Sequence, residues 1–166
     1  IFLKNNLSDR LVGKCYKDYG FICKIYKILE ENNCLLEDEN TNGGAKIKLK
    51  VVCKLCLPSR NKEIICKIKN LNKEIYEGVN GPIIFIIESG NINSDNFFID
   101  MNRNIRSSKT SQILVHDTSV RVLIEKLKVS DNEKNIVAYG VLLNLATPNE
   151  IELYHNELKK DIDEFM

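Results

Sequence analysis

The sequence predicts an α+β protein: strand-rich in both halves, opened by a short helix and closed by a longer one. Three observations carry this. Apolar residues alternate with basic or polar ones over many short runs, the two-residue period of half-buried strands. Asn, Gly, Asp and Pro separate those runs at short, even intervals beyond residue 61, as in a small barrel or sandwich. The last segment changes to helical spacing behind a Thr-x-x-Glu cap.

In chain order, Leu3, Leu7 and Leu11 recur at helical spacing, so residues 2–11 read as a short amphipathic helix that Gly13 ends. Residues 14–29 read as two strands around Tyr19-Gly20-Phe21, with a turn near residues 18–20. Residues 30–39 are acidic and run into Asn40-Thr41-Asn42-Gly43-Gly44, a turn. Lys46-Ile47-Lys48-Leu49-Lys50-Val51 is a clean alternation that continues to Leu57 and stops at Pro58. Pro58-Ser59-Arg60-Asn61 is the expected boundary, giving domains over residues 1–60 and 61–146 and a helical extension over 147–166.

Beyond it, strands are expected at residues 63–69, 74–79, 82–88, 97–101, 120–128 and 136–143. Turns fall at residues 70–72, at Asn80-Gly81 and at 130–133. Residues 102–112 are polar and basic and read as one long loop. Thr147-Pro148-Asn149-Glu150 fits a capping box with Pro at the first helical position. Ile151, Tyr154, Leu158, Ile162 and Phe165 then form one apolar stripe, the surface expected to meet a partner. There is no internal repeat.

Composition narrows the function. At 43% hydrophobic residues the 166-residue chain is too apolar for a disordered one. No apolar run approaches the roughly 18 residues of a membrane helix, so no membrane partner is expected. A net charge of +1 means that any nucleic-acid contact must use a local patch. Ile, Asn and Lys supply 21, 20 and 19 residues, a bias toward A/T-rich codons. The chain opens at Ile1 rather than Met, and a leading segment is expected before it.

Cys15, Cys23, Cys34, Cys53, Cys56 and Cys66 sit in strand-like stretches and follow no signal peptide, which suits reduced thiols inside a cell. Cys53-Lys54-Leu55-Cys56 could be half of a zinc site or a redox pair. A tetrahedral zinc needs four ligands, yet no second Cys-x-x-Cys exists, and His116 and His155 lie far along the chain. A redox pair should open a helix, whereas this one lies in a Lys-alternating strand. Structural thiols are the simpler reading; a thiol oxidoreductase or small zinc protein stays as an alternative. His116-Asp117 has no nucleophile elbow near it and reads as a loop, and His155 as a solvated helix residue. No phosphate-cradling Gly motif appears. No catalytic residue, metal or cofactor is expected.

Charge distribution says more than charge sum. Between Gly44 and Lys73 there are nine basic residues and one acid, Glu63. Arg103, Arg106 and Lys109 form a second set, with Arg121 on a strand. If the strands from Glu63 onward close as a Greek-key barrel, its ligand face carries Lys67, Lys69, Lys73 and Tyr76, ringed by those arginines and Lys109. Phe85 would lie near that face too, although its all-apolar run suits a core better. Alternating Lys is also how a half-buried strand stays soluble, so the patch has a plainer reading.

Several segments together resemble the seventh-subunit family of DNA-directed RNA polymerases, the stalk proteins that include archaeal, nuclear and large-DNA-virus members. The carriers are Gly13-Lys14-Cys15, Tyr19-Gly20-Phe21-Ile22, Gly43-Gly44 with the strand to Leu57, and Glu63 to Asn80-Gly81-Pro82. Val120-Arg121-Val122, Asp131-Asn132 and Ile136-Val137-Ala138-Tyr139-Gly140 follow in the same order. Each is weak; their colinearity over residues 2–144 makes the resemblance. It implies a ribonucleoprotein-like tip domain, then an OB/S1-type barrel. It implies a non-catalytic subunit that docks near the polymerase clamp, pairs with a smaller helical partner and offers nascent single-stranded RNA a weak surface. Carried over by position, Tyr19, Gly20, Phe21, Leu55, Leu57 and Pro58 are the docking residues. The extended C-terminal helix and the Ile/Lys/Asn bias point to a divergent viral member, placed in the nucleus, host cytoplasm or virion. A free-standing S1/OB factor for single-stranded RNA is the alternative, and the tip-like first 58 residues argue against it.

Overall fold

A computed structural model describes residues 2–36, 45–72 and 74–163, with side chains over 4–29, 48–72 and 74–156. The chain is mostly β and divides into two compact units: Ile1–Leu57 with Ser130–Lys134, and Pro58–Val129 with Asn135–Met166.

The first unit begins with α1 (Phe2–Leu11). Gly13, at φ +80°, ends it in the left-handed conformation that a Cβ disfavours, and its N–H donates to Ile22 O at 2.9 Å. A three-stranded antiparallel sheet follows, in the order β1 (Cys15–Tyr16), β2 (Gly20–Leu36), β3 (Ala45–Cys56). The register pairs Phe21 with both Cys15 and Cys56, and Ile28 with Val51. Three irregularities in β2, at Ile22/Lys24, Ile25/Lys27 and Glu30/Cys34, each add local twist to this long ribbon. The Ser130–Lys134 turn of this unit hydrogen-bonds to β1. Cys15 N donates to Glu133 O, Asn132 N to Cys15 O, and Lys17 N to Asp131 Oδ1, all within 2.9 Å.

One expectation changes here. The acidic residues after Leu29 do not end the strand, because β2 runs on to Leu36 opposite β3. Backbone pairing with β3 overrides the low strand propensity of Glu and Asn there. The expected turn at Asn40–Gly44 lies outside the described residues.

In the second unit β4 (Glu63–Leu71), β5 (Ile75–Asn80), β6 (Ile83–Glu88), β9 (Ser119–Lys128) and β10 (Ile136–Leu145) close into a barrel, ordered β10-β6-β5-β4-β9. All pairings are antiparallel except β6 with β10, the parallel contact that shuts the sheet. Closure removes the sheet edges. Period-2 patterning fills the interior: Cys66 and Ile68, then Ile83, Phe85 and Ile87, then Val120, Val122 and Ile124, then Ile136, Ala138 and Leu142. Gly78 and Gly140 leave room for their neighbours. A Cβ on Gly78 would lie 2.6 Å from Cys66 Sγ, and one on Gly140 would lie 2.5 Å from Leu123 O.

Between β6 and β9 the chain folds a small hairpin, β7 (Phe97–Ile99) and β8 (Ile105–Ser107). The stretch expected as one loop over residues 102–112 therefore contains a strand, anchored by buried Ile105 and Ser107.

The barrel is followed by α2 (Pro148–Asp163). Its capping box forms as expected. Glu150 Oε2 accepts from Thr147 N and Thr147 Oγ1, both at 2.8 Å, and Glu150 N donates back to Thr147 Oγ1. The other carboxylate oxygen, Oε1, pairs with Arg121 Nη2 on β9. One carboxylate thus starts the helix and ties it to the barrel. Glu150→Ala should cost about 1 kcal/mol and loosen the first turn of α2. Glu150→Gln retains the box but loses the ion pair, so it should fall between the two in amide-exchange protection of residues 148–152.

Candidate docking and nucleic-acid surfaces

In the first unit five of the six docking candidates converge. Tyr19 closes the turn between β1 and β2, its N–H donating to Tyr16 O at 3.0 Å. Gly20 follows at φ +86°, tight against β3: a Cβ there would sit 2.5 Å from Cys56 O and 3.0 Å from Leu57 Cβ. Phe21 pairs with Cys56, and Ile22 with Leu55. The outcome is an exposed apolar cluster at one end of the sheet, with Tyr19 63%, Leu57 56% and Leu55 43% exposed. Clustered exposed apolar side chains of this kind mark an interaction surface. Pro58, the sixth candidate, opens the second unit.

The thiols of Cys15 and Cys56 in this unit, and of Cys66 in the barrel, are all raised above the ordinary thiol range. Burial, then Cys23 and Cys15, pushes the Cys56 thiol up to about 11. Burial alone pushes Cys66 up to about 12, and burial followed by Glu133 raises Cys15. A redox or metal-binding thiol needs the opposite shift. Among the described residues no three ligating side chains are grouped to hold a metal ion.

In the second unit the expected cations are only partly available. Lys69 Nζ donates to Asp117 Oδ1 at 2.6 Å, and this bond is the main reason that the Asp117 carboxyl is held low. His116 also contacts Asp117, Nδ1 to Oδ2 at 2.9 Å, in an exposed loop. Arg106 Nε donates to Asp100 Oδ2 at 2.8 Å. That bond first, then hydrogen bonds from Asn104 and Asn102, hold Asp100 down to about 2 against an opposing desolvation effect. Arg121 is divided between Glu63, at 3.2 Å, and Glu150. Lys67 lies on β4, while Arg103 and Lys109 are exposed and make no ion pair among the described residues. Lys73 lies outside the described residues.

The aromatic expectation is corrected. Tyr76 is 3% exposed, its phenol raised by burial, so its ring face is not open to stacking. Phe85 is fully buried and is core. The sequence reading missed Phe98, which is 46% exposed on β7 beside the cations of the hairpin. The signal was the Phe97-Phe98 doublet, in which a strand must bury one ring and expose the other. Tyr76 instead borders a cleft of about 170 Å3 that Leu71, Asn72, Asn102, Arg103, Ile105 and Leu114 also line.

Only the start of the C-terminal stripe has described side chains. Ile151 and Tyr154 are half-buried, and burial, with Cys66 opposed by Lys69, raises the Tyr154 phenol. This start of the stripe therefore lies toward β4 of its own barrel. The side chains of Leu158, Ile162 and Phe165 lie outside those described. No helix among the described residues is long and apolar enough to cross a membrane.

No family model matches the chain. It is 33% identical over 156 residues to a protein of Acanthamoeba polyphaga mimivirus named "Putative DNA-directed RNA polymerase subunit". The match covers 94% of this chain and 77% of that relative, so it runs through both units.

Proposed function

We propose, from the premise that this chain belongs to the family of viral DNA-directed RNA polymerase subunits that includes its mimivirus relative, that it is a non-catalytic component of the polymerase stalk. It docks near the polymerase clamp through the Tyr19, Leu55 and Leu57 end of its first unit. Its barrel gives nascent single-stranded RNA a weak, sequence-tolerant surface. A smaller helical subunit completes the stalk, and the complex works in the nucleus, the host cytoplasm or the virion.

The carrying observation is the match, over 94% of this chain and 77% of the relative, to a mimivirus protein named as a polymerase subunit. The barrel supports the finer reading: a five-stranded closed sheet whose third strand meets its last in parallel is the arrangement expected of an OB/S1 barrel. The exposed cluster supports docking, since three large apolar side chains sit together on the sheet end that the resemblance assigns to it.

The test is co-expression of the tagged chain with the core subunits of its own virus's polymerase. We expect stoichiometric co-purification that Leu57→Asp weakens at least ten-fold while the barrel stays folded, since one buried charge without a partner outweighs the gain from a small interface. A chain that passes through without polymerase removes the reading.

A further inference from the structure

The β7–β8 hairpin is built to hold one aromatic ring outward between cations. Phe97, Ile105 and Ser107 are buried and fasten it. Phe98, between Phe97 and Ile99, faces the other way and pairs in register with Arg106. Arg106 is itself fixed, Nε to Asp100 Oδ2 at 2.8 Å and Nη1 to Ser111 O at 3.3 Å, so the strand opposite Phe98 carries an ordered guanidinium. Arg103 leaves the hairpin turn at φ +61°, and Lys109 follows β8 at its other end. At about 3.3 Å per residue they lie no more than about 10 Å to either side of Arg106. With Asp100 neutralised by Arg106, Arg103 and Lys109 are the uncompensated charges of the hairpin.

We infer that Phe98 is a base-stacking platform and that Arg103 and Lys109 hold the flanking phosphates, so that this hairpin, and not the β5–β6 face, is where the chain engages single-stranded RNA. The inference rests on the RNA reading proposed above and gives it a place. An exposed ring between free cations meets both needs of a single strand, a π-face and phosphate neutralisation. Exposed Ile99 and Met101 lie beside the ring, among amides and hydroxyls (Asn96, Asn102, Asn104, Ser108, Thr110, Gln112) and the cations already named. A protein-docking core would be depleted of charge instead.

The experiment uses the full chain and a labelled single-stranded polypyrimidine RNA, titrated at several salt concentrations. Phe98→Ala should weaken binding about five-fold to a hundred-fold. Phe98→Leu should weaken it as much, whereas Phe98→Tyr should retain it, because a ring and not mere apolar bulk is required. Arg103→Gln and Lys109→Gln should each reduce the slope of log K against log salt by about 0.7. Wild-type chain that binds while Phe98→Ala binds equally well overturns the inference and leaves the RNA reading standing. No wild-type binding removes both. Full binding by Phe98→Leu, or unchanged RNA affinity with lost polymerase co-purification, makes Phe98 an apolar protein contact and overturns the stacking role.

Discussion

Phe85→Ala should destabilise the barrel by about 3–5 kcal/mol, the cost of an emptied aromatic site in a core. Phe85 lies mid-strand in β6 and is fully buried. Its register partners are Gly78 on β5 and Ala138 on β10. Directly opposed residues share a face, so the ring fills the interior that two small neighbours leave open. Neither neighbour can grow to refill it cheaply. A Cβ on Gly78 already meets Cys66 Sγ at 2.6 Å, and Ala138 is itself fully buried. The cavity therefore stays, and the loss falls at the upper end of the range for such changes. Against a total stability of about 5–15 kcal/mol this is a large share. It should appear as a drop of the barrel transition on the order of 15 °C, with Phe85→Leu losing far less. A Phe85→Ala chain within about 1 kcal/mol of wild type in urea titration would mean that this ring does not hold the core.

That row of Gly78, Phe85 and Ala138 also shows what was legible in the sequence. Alternation in β4, β6, β9 and β10 announced the strands, because each strand buries one face and the period survives in the residue types. The parallel β6–β10 closure was not announced, since pairing between strands some fifty residues apart leaves no local mark. β8 was hidden by its length and by Arg106, whose polar character came from an ion pair rather than from exposure. The same blindness affected the site. Arg121, Arg106 and Lys69 looked like free cations, but their partners Glu150, Asp100 and Asp117 are brought in by the fold or by tight turns. Tyr76 and Phe98 were indistinguishable by type, and only the register decided which ring the protein keeps inside. The docking cluster depended on the resemblance: nothing in the spacing of Tyr19 and Leu57 says that they meet until β2 folds back on β3.

Gly20→Ala should be the most damaging single-methyl change at the proposed docking end, costing about 2–4 kcal/mol in the first unit. Two effects add. At φ +86° any L side chain is strained by about 1–3 kcal/mol. The new Cβ would also stand 2.5 Å from the Cys56 carbonyl oxygen and 3.0 Å from Leu57 Cβ, and the nearer atom is backbone, which yields only if β3 moves. The strand that must shift carries Leu55 and leads into Leu57, so stability and docking are joined at one position. Gly13 supplies the control. It has nearly the same φ, +80°, but a Cβ there meets nothing within 4 Å, so Gly13→Ala isolates the backbone strain. Amide exchange of β2 and β3 should accelerate clearly more in Gly20→Ala than in Gly13→Ala, while β4, β6 and β10 keep their protection. Polymerase co-purification should fall in the same order. Equal effects from the two substitutions would show that conformation alone, and not contact with Cys56 and Leu57, sets the requirement for glycine. The tight seating of Gly20 against the end of β3 would then play no part in holding the docking cluster together.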